Sequence, residues 1–472
     1  MQQDRDVTYP LRSMDDLKLL RMLVMHVALV FDERLDPTRL YTSLDGVVRM
    51  DGWYKLGARL RRKGLWGLEY HVPAKFTDER PAFSYAHTTH SCSRREHPEG
   101  SRLPASDSGI SVGCESEEYL ALIQPFGAPT RLRDYVNQDR PLLGLYIVSF
   151  NDATIIAISW PHVLFDIMSL ADLYQAWILN LQGQGQEIRI PVRAELDFLL
   201  ELGNNAQETH HLTHRRMSTW ELISFGLRNI SVFLFPAMER RTICISAATF
   251  ERIRATTVTE ASESQLPGSD NFLSDNDVLC AWWSRICCAR LKDSNREVAI
   301  INVQSFRSAL PVDLLPKCYA YLSNALGLIT TLLPVRNVVK SQLGPIALEI
   351  RTSVQKSGKR SQMEAFESLR KRAWHREWPI FASTTTYPII YTNWSKARIF
   401  HLDFSAALAE DNVSLPTRPV KPSLVLPIYS GWKAVDLACI PGRDADGNFW
   451  LDFSTERENW PAILLEIGYS HT

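Results

Sequence analysis

Apolar residues recur along this chain in two alternating rhythms, which predict strands and helices in a mixed order. Val24 to Phe31 is an extended apolar segment, Asp36 to Arg49 has helical spacing, and Gly67 to Val72 alternates as a strand. Asp78 to Gly113, rich in Ser, Pro, His and charge, looks like a surface excursion. Leu145 to Trp160 supplies two strands joined through Asn151-Asp152, a hairpin turn. Pro161 bars the second from continuing as a central strand, and Met168 to Trp177 resumes at helical spacing. Gly183-Gln-Gly-Gln186 breaks the pattern, and polar sequence runs from Gly203 to Met217. The rhythm restarts with a strand at Thr242 to Ala247, a short helix at Phe250 to Val258 and a strong helix at Asn276 to Leu291. Strands follow at Val298 to Val303 and Leu326 to Leu333, and no repeat is evident. The expected organisation is α/β, with an N-terminal domain over 1–200, a crossover linker over 201–240 and a C-terminal domain over 241–472. The apolar stretch Gly226 to Pro236 fits a core or interface better than a membrane contact or a substrate mouth.

Composition narrows the function classes. The chain has 472 residues, 45% hydrophobic and 22% charged, which is a soluble globular balance. With 52 basic and 53 acidic residues the net charge is −1, so no overall field holds nucleic acid or an anionic membrane. Leu19 to Phe31 is broken by Arg21 and His26, is too short to span a bilayer and lacks a signal-peptide cleavage site. The C-terminal Ser470-His-Thr472 is not a peroxisomal address. Eight cysteines show no Cys-x-x-Cys spacing, and Cys280, Cys287 and Cys288 share one apolar helical pattern, as reduced cysteines do in a cytoplasmic protein.

The candidate chemistry lies in Trp160-Pro-His-Val-Leu-Phe-Asp166, which sets His162 at a strand-to-helix junction. A histidine of ordinary pKa is largely neutral at pH 7 and can take a proton from a hydroxyl. With 53 acidic residues and twelve histidines, on the order of one His-x-x-x-Asp/Glu match is expected by chance. Taken alone, the pair reads more simply as a core histidine and a helix N-cap aspartate.

Several further blocks change that balance. Leu56-Gly-Ala-Arg-Leu-Arg61 precedes Leu68-Glu-Tyr-His-Val-Pro73; Leu132-Arg-Asp-Tyr-Val136 and Asp139-Arg-Pro-Leu142 lead to Val148-Ser-Phe150 and His162. Ser274-Asp-Asn-Asp-Val-Leu-Cys-Ala-Trp282, Tyr321-Leu-Ser-Asn-Ala325, Thr392-Asn-Trp394 and Asp403-Phe404 follow. In order and spacing these blocks resemble the BAHD family of acyl-CoA-dependent acyltransferases, in particular its fungal secondary-metabolite O-acetyltransferase branch. The resemblance extends over nearly the whole chain.

It implies two similar chloramphenicol-acetyltransferase-like mixed-sheet domains, with the active site in a channel at their interface. It also implies that the segment near 383–395 returns to the N-terminal sheet. Acyl-CoA, most simply acetyl-CoA, would be the co-substrate, with no permanently bound cofactor and no metal. The partners would be a small-molecule acceptor and acyl-CoA, with neither nucleic acid nor membrane, in a monomer. His162 would be the general base. Asp166 would pair with an arginine and hold the loop, Thr392 and Trp394 would face the thioester oxygen, and Asp403 and Asn324 would be structural.

Departures accompany the match. Asp403-Phe-Ser-Ala-Ala407 lacks both family glycines, and Ile167 replaces the glycine that often follows the aspartate. The family's Arg-x-Arg block appears as Gln304-Ser-Phe-Arg307, leaving Arg307 as partner of Asp166 or Asp403. The lost glycines keep open a related fold repurposed for CoA-independent condensation or cyclisation, whereas a non-catalytic binding protein would be expected to lack the histidine. Two clusters, His87, His90, Cys92 and His97, and His210, His211 and His214, have ligand-type residues without metal-site spacing and read as surface histidines. Lys356, Lys359, Arg360, Arg370, Lys371 and Arg372 form a basic run that would meet CoA phosphates or, more simply, water.

Overall fold

A computed structural model of the chain describes residues 6–468 apart from 66, 229–236, 265–271, 292–294, 310–317, 411–417 and 432–434. Two mixed sheets organise it. The first has five strands in the order Leu424–Ser430, Val24–Phe31, Thr154–Pro161, Gly144–Ser149 and Ser84–Thr89. Val24–Phe31 is buried along its whole length because strands flank it on both sides, which is why it reads as a continuous apolar run. The hairpin through Asn151-Asp152 closes with Phe150 N donating to Ala153 O at 2.9 Å. Against this sheet lie helices Pro37–Val48 and Ile167–Leu181. Asp36 caps the first by accepting from the Thr38 and Arg39 amides at 2.8 and 3.2 Å. Trp177 ties the two helices together by donating to Leu40 O and Ser43 Oγ at 3.1 and 2.8 Å.

The second sheet has seven strands, in the order Leu326–Pro334, Glu297–Ser305, Tyr387–Asn393, Asp436–Arg443, Phe449–Glu456, Met238–Ile245 and Ile110–Glu115. Helices Ala247–Glu263, Asp275–Ala289 and Leu343–Ser357 pack with it in a second core. The helix expected over Phe250 to Val258 is thus longer, begun by the Ser246 side chain bonding the Thr249 amide. Asp275–Ala289 starts in a reciprocal cap, Ser274 and Asp277 each bonding the other's backbone. Five cysteines, Cys244, Cys280, Cys287, Cys288 and Cys439, are free and buried.

Three expectations are corrected. The segment 383–395 does not return to the N-terminal sheet: Tyr387–Asn393 runs parallel to both Glu297–Ser305 and Asp436–Arg443 inside the seven-stranded sheet. Leu424–Ser430 returns instead, antiparallel to Val24–Phe31, and Pro427 is tolerated there because the strand lies at the sheet edge. Nor is Asp78 to Gly113 only an excursion, since it carries Ser84–Thr89 and the start of Ile110–Glu115, edge strands of the first and second sheets. An edge strand covered on one face keeps polar residues on the other, which hid both in the sequence. Within 201–240, Thr219–Arg228 is helical, while 229–236 of the apolar Gly226 to Pro236 stretch lies outside the described residues.

Strands therefore pass both ways between the halves, and Ile190–Pro191 pairs with Tyr319–Ala320 as a further tie. Polar residues sit in this seam. His26, on the strand Val24–Phe31, is buried with both ring nitrogens unpartnered, and burial, reinforced by the Arg240 charge, pushes its pKa down to about 4. Arg240 pairs in turn with buried Asp452 at 3.4 Å.

Candidate active site

His162 follows the last residue of Thr154–Pro161 and is held on both sides through its backbone. Its N–H donates to Leu23 O at 2.9 Å, its carbonyl accepts from Asn324 Nδ2 at 2.9 Å, and the next carbonyl, of Val163, accepts from Tyr70 Oη at 2.6 Å. Its ring Nδ1 is buried without an aligned hydrogen-bond partner. Burial holds the ring below the ordinary histidine pKa, opposed by its own carbonyl, the Asp166 charge, the Asn324 side chain and the Asp15 charge, so the imidazole is neutral at pH 7.

Asp166 is buried in a fork of donors. Its Oδ1 caps helix Ile167–Leu181 through the amides of Met168 and Ser169 at 3.1 and 3.2 Å. Arg307 grips it in bidentate fashion, Nη1 to Oδ2 and Nη2 to Oδ1, both at 2.8 Å, and the Ala325 amide donates to Oδ2 at 2.9 Å. Arg307 also reaches Ser169 Oγ and the carbonyls of Tyr321 and Ser323 at 3.0, 3.2 and 3.0 Å. The arginine is thus Asp166's partner and not Asp403's, because it follows the strand Glu297–Ser305 directly beside the Tyr321-Leu-Ser-Asn324 turn. The aspartate thus joins helix Ile167–Leu181 to the Arg307 and Ala325 segments of the other half.

Thr392 is the penultimate residue of the strand Tyr387–Asn393, which is parallel to both its neighbours, and Trp394 lies just beyond that strand. The indole Nε1 of buried Trp394 donates to Thr392 Oγ1 at 3.0 Å. The indole N–H is thus engaged with the threonine hydroxyl. The threonine hydroxyl, its lone pair filled, keeps its own proton to donate. Between them, Asn393 bonds Asn276 at 2.8 Å, fixing the strand end to helix Asp275–Ala289. Among the described residues no direct hydrogen bond joins Thr392 or Trp394 to the His162 group. Asp403 stands apart: it holds the Ser405 amide and hydroxyl at 3.0 and 2.5 Å, and Ser405 Oγ accepts from Val420 N at 2.9 Å. Serine here closes by side-chain bonding a turn where the family has glycine.

Known proteins are similar to this chain along nearly its whole length. "Acetyltransferase adrJ" of Penicillium rubens is 30% identical over 98% of this chain and 95% of its own length. A Penicillium decumbens protein named "Transcriptional regulator calD" is 32% identical over the same shares. TRI101 of F. sporotrichioides, solved with coenzyme A and T-2, superposes with a TM-score of 0.70 at 13% identity, covering 98% of both chains. Vinorine synthase gives 0.57 at 14% identity over 97% of this chain and 92% of its own. The first condensation domain of the CDA synthetase gives 0.57 at 13% identity over 98% and 94%. No family model matches the chain. It belongs to the family of these fungal acetyltransferases and has the BAHD-type acyltransferase fold.

In this acyltransferase several residues that sequence reasoning passed over complete the site. Asp15, fully buried between the first strand and the first helix, accepts from the amide and the side chain of Asn324, both at 2.8 Å, and from Ser323 Oγ at 2.7 Å. Buried Lys55 donates to Leu322 O at 2.7 Å and Ser323 Oγ at 3.1 Å, 3.9 Å from the Asp15 carboxylate. Nothing in the spacing of 15, 55 and 324 announces this meeting; a lysine inside the apolar Trp53-Tyr-Lys-Leu56 was the one available signal.

The other clusters have plainer settings. His90 stacks on Phe150, which His97 meets edge-on, and His210, itself buried, stacks on Phe381 and His211. Among the described residues no group of three or more His, Cys, Asp or Glu side chains is placed to hold a metal. In the basic run, Arg360 pairs with Glu364, Arg370 with buried Glu367, and Lys371 bonds Asn204. Among the described residues no helix is long and apolar enough to cross a membrane.

Proposed function

We propose that this enzyme moves an acyl group, acetyl in the simplest case, from acyl-CoA to a hydroxyl of a fungal natural product such as a terpenoid, meroterpenoid or alkaloid. The observation that carries the reading is the state of His162: Nδ1 buried without a hydrogen-bond partner, the ring neutral at pH 7, and the backbone held on both sides. Nε2 takes the acceptor hydroxyl proton as its oxygen attacks the thioester carbonyl. The resulting tetrahedral oxyanion accepts the Thr392 hydroxyl proton as a hydrogen bond, worth about 3 to 4 kcal/mol when well aligned. Collapse expels the CoA thiolate, which takes the proton back from the imidazolium. Acyl-CoA and acceptor approach Nε2 from opposite faces of the seam, in a monomeric cytoplasmic enzyme. The names of the relatives called acetyltransferase and the coenzyme A held by TRI101 support this chemistry.

The likeness to a condensation domain favours a second reading, in which His162 steers a proton without CoA. The regulator name borne by two relatives finds no support in a net charge of −1, which supplies no field for DNA. Incubation with acetyl-CoA and hydroxylated metabolites, following free thiol and a mass gain of one acetyl group, decides between the readings. His162→Ala is expected to keep the fold and lose turnover by about two to four orders of magnitude. Turnover equal to the wild type in that variant refutes the mechanism.

A further inference from the structure

The buried pair Asp15 and Lys55 lies under the catalytic turn and has no part in the mechanism above. The carboxylate meets the histidine through one side chain: Asn324 Nδ2 donates both to Asp15 Oδ1 at 2.8 Å and to the His162 carbonyl at 2.9 Å. The Asn324 amide fastens to the same Oδ1, so Asp15 fixes both ends of the asparagine. Lys55 closes the other side through Leu322 O and Ser323 Oγ, with its ammonium 5.0 Å above the Tyr70 ring whose hydroxyl holds Val163 O. A buried ion pair of this kind adds little net stability, which leaves its presence beneath a reacting histidine unexplained by folding alone.

We propose that Asp15 is a positioning residue for His162. It aligns the asparagine that holds the histidine carbonyl, and its negative charge, kept in the interior by Lys55, supports the imidazolium formed when Nε2 takes the acceptor proton. The proposal rests on the acyltransferase reading only for its kinetic arm. The charged groups facing His162 are Asp166, itself gripped by Arg307, and Asp15; those facing Lys55 are Asp15, Arg12 and Asp197. Burial pushes the Lys55 ammonium down to about 7 against the pull of Asp15, and burial raises Asp15, as expected for a pair kept from water.

Asp15→Asn keeps an oxygen for Asn324 while removing the charge. Asp15→Asn/Lys55→Met removes both charges and protects the fold if the single variant leaves Lys55 unmatched. Isotope-labelled histidine resonances give the His162 titration midpoint, and steady-state assays give kcat and KM for acetyl-CoA. The expected result is a midpoint lower than the wild type's in the double variant, with kcat reduced about ten-fold or more and KM unchanged. A folded double variant with wild-type midpoint and kcat overturns the proposal, as does a loss confined to KM. If the wild-type enzyme transfers no acyl group at all, the acyltransferase reading fails while the titration still decides the role of Asp15.

Discussion

Asp166→Asn separates a scaffold from a catalytic relay. The asparagine oxygen can still cap Met168 and Ser169, so the helix keeps its start. Its amide nitrogen must then face the Ala325 amide or Arg307 Nη1, donor against donor, and Arg307 loses its counter-charge in a site where Asp166 is 1% exposed. Removing one partner of a buried pair costs about 3 to 5 kcal/mol, a large part of the roughly 5 to 15 kcal/mol that holds a typical domain folded. Asp166→Ala should cost about 1 kcal/mol more, the cap itself. Asp166→Asn/Arg307→Met should recover part of the loss, since neither charge is then buried alone. Urea unfolding followed by tryptophan fluorescence gives these differences for the intact enzyme. If Asp166→Asn stays within about 1 kcal/mol of the wild type yet loses turnover, the carboxylate acts on the chemistry and the assignment of a purely structural fork is wrong.

Thr392→Val should lower the single-turnover rate about 100-fold with acetyl-CoA affinity nearly unchanged, because its bond strengthens only as charge develops on the thioester oxygen. Trp394→Phe should cost less, since the indole N–H only orients the threonine; equal losses in rate would mean the indole touches substrate. His26 predicts a pH dependence of stability. Its folded pKa of about 4 lies below the ordinary value of 6.5, so the unfolded chain binds the extra proton between these limits, and the stability associated with neutral His26 is lost as pH falls through that window. The full effect is about 3 kcal/mol. Asp452 and Asp436, raised by burial to about 7 and about 6, pull the other way. The measurement is therefore the wild type minus His26→Leu, which should favour the variant increasingly from pH 7 to pH 4; parallel curves would contradict the assignment.

His162 and Asp166 were legible because the elements that carry them leave local signals: an apolar strand, a proline at its end and a helix whose first cap is the aspartate itself. Arg307, Asn324 and Thr392 were reached through family blocks, and the first two then fall where hydrogen bonding needs them. Asp15 and Lys55 were not, because a contact across about 300 positions leaves no periodic trace. Sheet membership was illegible for a different reason. Tyr-Pro-Ile-Ile-Tyr-Thr-Asn at 387–393 and Leu-Val-Leu-Pro-Ile-Tyr-Ser at 424–430 have nearly the same composition, and alternation says that a segment is a strand without saying which strand it joins. Trp394 shows the limit of motif transfer, since a matched residue can act through its neighbour.

The exchange of strands also sets a timetable for synthesis. Val30 pairs with Leu424, about 400 residues downstream, so at about 5 to 20 residues per second the strand Val24–Phe31 waits roughly 20 to 80 seconds on the ribosome for its outer neighbour. During that interval the Val24–Phe31 backbone lies open along one side, apolar throughout and apt to pair with another chain. A polypeptide released before residue 430 carries the reacting histidine on an unfinished sheet. Quality control would thus meet every truncated product as an exposed strand edge, and only the nearly complete chain can close it.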